Sequence, residues 1–142
     1  MTCPDNCTCY HNRNWDRNII DCSAESLTTI PIMLPMEASD VYLDGNRLPS
    51  LPEYALIGRT KMTSLYLNNS QIQRIDNHTF NGLSQLRTLH LHHNQITVLR
   101  GGEFSQLISL EVLDLSWNDI HSIHENTFLT LTKLRVNINF LN

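Results

Sequence analysis

After Cys22 the chain has no cysteine at all, and Cys3, Cys7, Cys9 and Cys22 all fall within the first 22 of its 142 residues. Other absences narrow the field further. No stretch approaches the roughly 18 uninterrupted apolar residues of a spanning helix, so the chain is not expected to cross a membrane. Basic residues are few, with Lys and Arg numbering 10 against 14 Asp and Glu, a net charge of −4 and a pI near 5.9. A basic stripe is therefore lacking, and nucleic acid is not an expected partner. Only five glycines occur, scattered without a phosphate-cradling loop, and Gly101-Gly102 falls where a turn needs it. The chain contains Ser, His and Asp, but no nucleophile motif and no pair of metal ligands at useful spacing. An enzyme is not expected, and neither is a cofactor or a resident metal. No charged-then-apolar leader precedes Cys3, so the expectation is a piece of a larger secreted or cell-surface protein.

What the chain does have is one phrase written three times at a spacing of 24 residues. It runs Met62-x-x-Leu65-x-Leu67-x-x-Ser70-x-Ile72, then from Leu86 to Ile96, then from Leu110 to Ile120. A weaker copy runs from Val41 and Leu43 through Asn46 to Leu48 and Leu51. A fixed period of this length marks a solenoid, and the phrase resembles the leucine-rich repeat. The implied fold is an α/β-type solenoid. A short parallel sheet lines its concave face, the return segments are irregular or 3-10, and about four and a half coils form an open right-handed curve. Within each phrase, Leu-x-Leu alternation is the period-two mark of a half-buried strand. Leu65 and Leu67 then point inward, and Tyr66 and Asn68 outward. On the return side, Ile75, Leu99 and Ile123 are each followed five residues later by Phe80, Phe104 or Phe128, which should stack as an apolar spine. A buried Leu, Ile or Phe contributes roughly 1.5–3 kcal/mol, but only when the next coil covers it. Asn46, Asn94 and Asn118 follow the strands, where an amide that donates and accepts can satisfy a tight turn. Ser70 replaces Asn in the second full coil, so its turn should be weaker. Beyond Leu134 the register fails: Asn137 and Asn139 stand where apolar residues are due, with Val136 and Ile138 one place early. A truncated or frayed last coil is expected there.

Residues 1–35 form a separate opening unit, and residues 36–142 carry the repeats. A solenoid needs a terminal cap over its first coil, and a cap this small lacks core, so covalent links substitute. Four cysteines can also close a zinc site, but Cys7-x-Cys9 is poorly spaced for one, and two disulfides fit better. Disulfides imply an oxidising compartment.

The cap pattern Cys3-Pro4-x-x-Cys7-x-Cys9…Cys22, followed by Leu27-Thr28-Thr29-Ile30-Pro31, resembles the N-terminal cap of extracellular leucine-rich repeat proteins. Further details are Thr8, Tyr10-His11, Trp15, Asp21 and Ser23, the run from Pro35-Met36 to Asn46, and Ile57-Gly58-Arg59. These resemble the membrane-proximal cap and first coil of long invertebrate Toll receptors. The resemblance implies the pairing Cys3–Cys9 and Cys7–Cys22. It also implies an ectodomain on the outer side of the plasma membrane, in a single-pass receptor of innate immunity or development. Its partner would be a cystine-knot cytokine or another receptor ectodomain. An adhesive or matrix leucine-rich repeat protein with a structural role is the alternative.

The candidate binding face is the outward positions Tyr42, Asp44, Tyr66, His90, His92 and Asp114 together with Trp117, with Asn68 and Ser116 beside them. Tyr42, Tyr66, His90 and Asp114 are equivalent in the repeat and should form a column about 5 Å apart per step. Aromatic groups are favoured at interface centres, although an ordinary solvated sheet face has the same make-up. His90 and His92 share a face and could approach one ion or sense pH, but with Asp114 the nearest carboxylate, no metal is expected. Trp117 is either a packing residue or an exposed anchor, and its large apolar body favours packing. Sequons place glycans at Asn6, Asn68 and Asn77. Asn77 is the best acceptor; a glycan on Asn68 would obstruct the face around Tyr66.

Overall fold

The structure is a computed structural model, and residues 1–135 are described. The register break beyond Leu134 and the frayed last coil lie outside those residues. Among the described residues are ten strands: β1 (Thr8–Asn12), β2 (Arg17–Asp21), β3 (Asp40–Tyr42), β4 (Ser50–Leu51), β5 (Ser64–Tyr66), β6 (Arg74–Ile75), β7 (Thr88–His90), β8 (Val98–Leu99), β9 (Val112–Asp114) and β10 (Ser122–Ile123). The main sheet runs β1-β2-β3-β5-β7-β9. Its cap hairpin β1–β2 is antiparallel, and every later pairing is parallel. The register is 24 residues per step: Val41 lies against Leu65, Leu65 against Leu89 and Leu89 against Leu113. On the return side β4 pairs with β6 and β8 with β10.

Alternation dictates the burial. Val41, Leu65, Leu89 and Leu113 are fully enclosed, as are Leu43, Leu67, Leu91 and Leu115 two places on. Each inward side chain packs on its counterparts in the neighbouring coils, so the core is one continuous column. Phe80, Phe104 and Phe128 stack behind it at 6.2 Å per step.

The solenoid and its parallel sheet stand as expected, and of the two return-segment forms, irregular or 3-10, the structure has the irregular one. No helical residue, α or 3-10, occurs among the described residues. Isolated turns take the place of helix: Thr79 N–H donates to Asp76, Asn81 to His78, Leu83 to Phe80 and Leu86 to Leu83. These i to i−3 bonds are two or three residues apart, and a 3-10 helix needs them consecutive. The return path is therefore a string of turns that places one apolar residue inward every three or so positions.

The cap holds disulfides Cys3–Cys9 and Cys7–Cys22. The second joins the start of β1 to the end of β2, so β2 is held against β3, where Ile20 covers Val41. Just past β2, Cys22 N–H continues the ladder by donating to Tyr42 O at 2.8 Å.

Candidate functional site

Outward residues of the main sheet form three columns. Asp40, Ser64, Thr88 and Val112 make the first; Tyr42, Tyr66, His90 and Asp114 the second; Asp44, Asn68, His92 and Ser116 the third. The second column is an aromatic ladder. The Tyr42 and Tyr66 rings stack at 4.4 Å with planes 2° apart, and Tyr66 stacks on His90 at 5.0 Å. In-register parallel strands about 4.8 Å apart impose this spacing. From His90 the aromatic contacts turn across the face: His92 meets His90 edge-on at 5.4 Å, and His93 meets His92 likewise at 5.2 Å. His93 then stacks on Trp117 at 5.5 Å.

Trp117 overturns the packing expectation, being 57% exposed. The cause is its backbone. Gly45, Asn69, His93 and Trp117 occupy equivalent positions after each strand, and all have φ between 54° and 73°. Left-handed backbone suits glycine and asparagine but is costly for a bulky side chain; here it directs the indole away from the core. Gly45 and Asn69 at the same repeat position were the signal that this turn is left-handed.

Sequence reasoning missed the cap end of the ladder. Arg17 donates to both carboxylate oxygens of Asp40 and to the Thr63 hydroxyl, tying cap, first coil and second coil together. Its guanidinium is held above its ordinary pKa, chiefly by the Asp40 hydrogen bond, which outweighs partial burial. Trp15, 73% exposed, joins Arg17, Asp40, Tyr42, Ser64 and Tyr66 around an open depression. Burial, with Tyr66 alongside, pushes the Tyr42 phenol up to about 12.

At the other end, His90, His92 and Asp114 come together with ligand atoms within 4.8 Å of one another. Burial lowers the His92 imidazole, aided by its histidine neighbours and opposed by Asp114 and Asp44. For Asp114, burial acts upward, but two hydrogen bonds from Ser116 and the nearby His92 and His90 prevail, leaving its pKa lowered. Asp44 presents a buried Oδ1 without a hydrogen-bond partner among the described residues. Of the sequon asparagines, Asn6 and Asn77 are exposed, and Asn68 is half-buried beside Tyr66.

A disulfide-capped stack of 24-residue coils with an open sheet face defines a class of recognition solenoid. The leucine rich repeat family model matches residues 38–96 and 84–136, and the chain belongs to that family. Its resemblance to Toll receptor ectodomains is borne out. Toll-like receptor 7 of Drosophila melanogaster is 50% identical over 62 residues, which are 44% of this chain and 4% of that protein. The acid labile subunit of the insulin-like growth factor-binding protein complex of Rattus norvegicus is 40% identical over 53 residues, 37% of this chain and 9% of that protein. Among solved structures, TLR13 in complex with ssRNA13 matches with a TM-score of 0.83 at 28% identity, over 94% of this chain and 19% of that one. Human 5T4, Wnt-activated inhibitory factor 1, matches with a TM-score of 0.71 at 27% identity, over 82% of this chain and 42% of that one. The matched segments thus span far less than two thirds of these proteins.

Proposed function

We propose that this chain is a non-catalytic recognition segment of a Toll-type receptor ectodomain, on the outer face of the plasma membrane, and that its sheet face contacts a protein. The aromatic ladder Tyr42–Tyr66–His90 carries the reading. It supplies stacked, half-exposed rings on a rigid sheet, and rigid aromatic surface binds with little entropy to lose. Two cap disulfides fit an oxidising exterior. The partner class is a secreted cystine-knot cytokine or a second receptor ectodomain, in innate immunity or development. Residues 1–35 act as the cap and 36–142 as the repeat block, with glycans on Asn6 and Asn77; the half-buried Asn68 beside Tyr66 must stay unglycosylated for the ladder to bind. The adhesive or matrix alternative draws support only from the shared repeat.

RNA is a second reading with one specific support: TLR13, of the same fold, was solved with ssRNA13. The acidic composition alone is therefore insufficient to exclude nucleic acid. The test is light scattering of the purified chain, alone, with cystine-knot cytokines and with single-stranded RNA. The expected result is a protein complex or self-association at micromolar concentration, weakened tenfold or more by Tyr66→Ala without loss of folded signal. Neither complex nor self-association would count against the protein reading, and a salt-sensitive RNA complex in its place would favour the second.

A further inference from the structure

We infer that His90, His92 and Asp114 form a binding site for a divalent zinc-class cation, held by two imidazoles and one carboxylate across two coils. The site is built by register. His90 ends β7 and His92 lies two residues further on, on the same outward side, and Asp114 stands directly opposite His90 on β9. Their donor atoms already lie within 4.8 Å of one another. Zinc bonds of about 2.0–2.1 Å hold donors about 3.4 Å apart in a tetrahedron, so small ring rotations close the gap.

Neighbouring residues prepare each ligand. Asp114 Oδ1 accepts hydrogen bonds from Ser116 N–H at 3.0 Å and from its hydroxyl at 2.6 Å, which fixes the carboxylate and assigns Oδ2 to the metal. The Nδ1 atoms of His92 and His93 lie 2.9 Å apart, a distance that requires a proton between them. With that proton on Nδ1 of His92, the lone pair sits on Nε2, the nitrogen a metal would take. Such outer contacts set tautomer and orientation in metal sites. His90 is braced from the other side by the Tyr66 ring. Two nitrogens and one oxygen suit zinc and other borderline transition metals, whereas calcium requires six or more oxygens. Three protein ligands leave one position open on the exposed side, available to water or to a donor group of another molecule.

The test is calorimetric titration of the chelator-stripped full chain with zinc alone, backed by visible absorption of the cobalt(II) form. One equivalent of zinc should bind at micromolar concentration, and cobalt should give the intense bands of a tetrahedral or five-coordinate site. His90→Ala and Asp114→Asn should each weaken binding about tenfold or more, whereas His121→Ala should leave it unchanged and calcium should not compete. Far-UV circular dichroism checks that each variant is folded. Absence of saturable zinc uptake, or equal uptake by a folded double variant of His90 and Asp114, would overturn the assignment. Metal uptake is read on the chain alone, so its failure leaves the protein-recognition reading standing, and failure of partner binding leaves the zinc titration intact.

Discussion

Asn94 serves four backbone groups with one side chain. Its Oδ1 accepts from Ser70 N–H and Ile72 N–H at 2.9 and 3.0 Å, and its Nδ2 donates to Leu67 O and Leu91 O at 2.9 Å. All of these bonds are buried; three join its coil to the previous one, and the bond to Leu91 O closes its own turn. Each buried backbone group left unpaired costs about 1–3 kcal/mol, so Asn94→Ala should lower stability by at least about 3 kcal/mol in urea unfolding. Ser70, at the equivalent position, donates at 3.2 Å and accepts at 3.4 Å. Ser70→Ala should cost only about 1 kcal/mol, and equal losses from the two variants would contradict the ladder's hierarchy. Tyr42 offers a pH readout. Its phenol is pushed up to about 12, while an unfolded tyrosine ionises near 10. The unfolded chain therefore loses this proton first, and the stabilisation is complete below pH 10 and lost as pH rises from 10 to about 12. Absorbance titration of phenolate should show one tyrosine ionising late in the wild type and not in Tyr42→Phe.

At the scale of elements, the strands and the return segments differ in how far the chain spells them out. Strand positions are marked twice, by period two within a strand and by the 24-residue step between strands, so the inward set around Leu65, Leu89 and Leu113 and the outward set around Tyr66 and His90 were both legible. Isolated turns carry no such mark. They need only an apolar residue at loose intervals, as Phe80, Leu83 and Leu86 provide, and a 3-10 helix would use the same residues. The Arg17–Asp40–Thr63 bond set was illegible for another reason: it depends on where β2 sits against β3, and the cap disulfides help fix that. The Cys7–Cys22 bond closes a 15-residue separation, worth about 3 kcal/mol on the chain-entropy model. Reduction of both bonds should lower stability by at least that amount, because Val41 also loses the cover of Ile20. Denaturant unfolding with thiols counted before and after reduction checks this, and an unchanged midpoint after complete reduction would refute the cap's role.

For the whole molecule, the core that stabilises the stack and the face proposed for recognition lie on opposite sides of the same strands. Inward leucines pack only on neighbouring coils, so the stack behaves as a one-dimensional array of intrinsic and interface contributions. Outward side chains leave that array largely untouched, which frees Tyr66, His90 and Asp114 to vary in chemistry while the leucines stay uniform. The shared period made this division readable. It also marked the turn at Trp117, through Gly45 and Asn69 at the same repeat position, but side-chain size alone points inward and the left-handed turn reverses that expectation. A central substitution should therefore damage more than one coil. Leu89 is fully enclosed between Leu65 and Leu113, and Leu89→Ala should cost about 2–5 kcal/mol by cavity formation. The loss should reach both flanks: amide exchange should accelerate at Leu67 N–H, bonded to His90 O, and at Leu91 N–H, bonded to Asp114 O. Tyr66→Ala, one residue from Leu65 but outward, should leave those amides protected. Exchange that accelerates equally in both variants would mean that the sheet face is itself part of the core's support, and the separation of recognition from stability would fail.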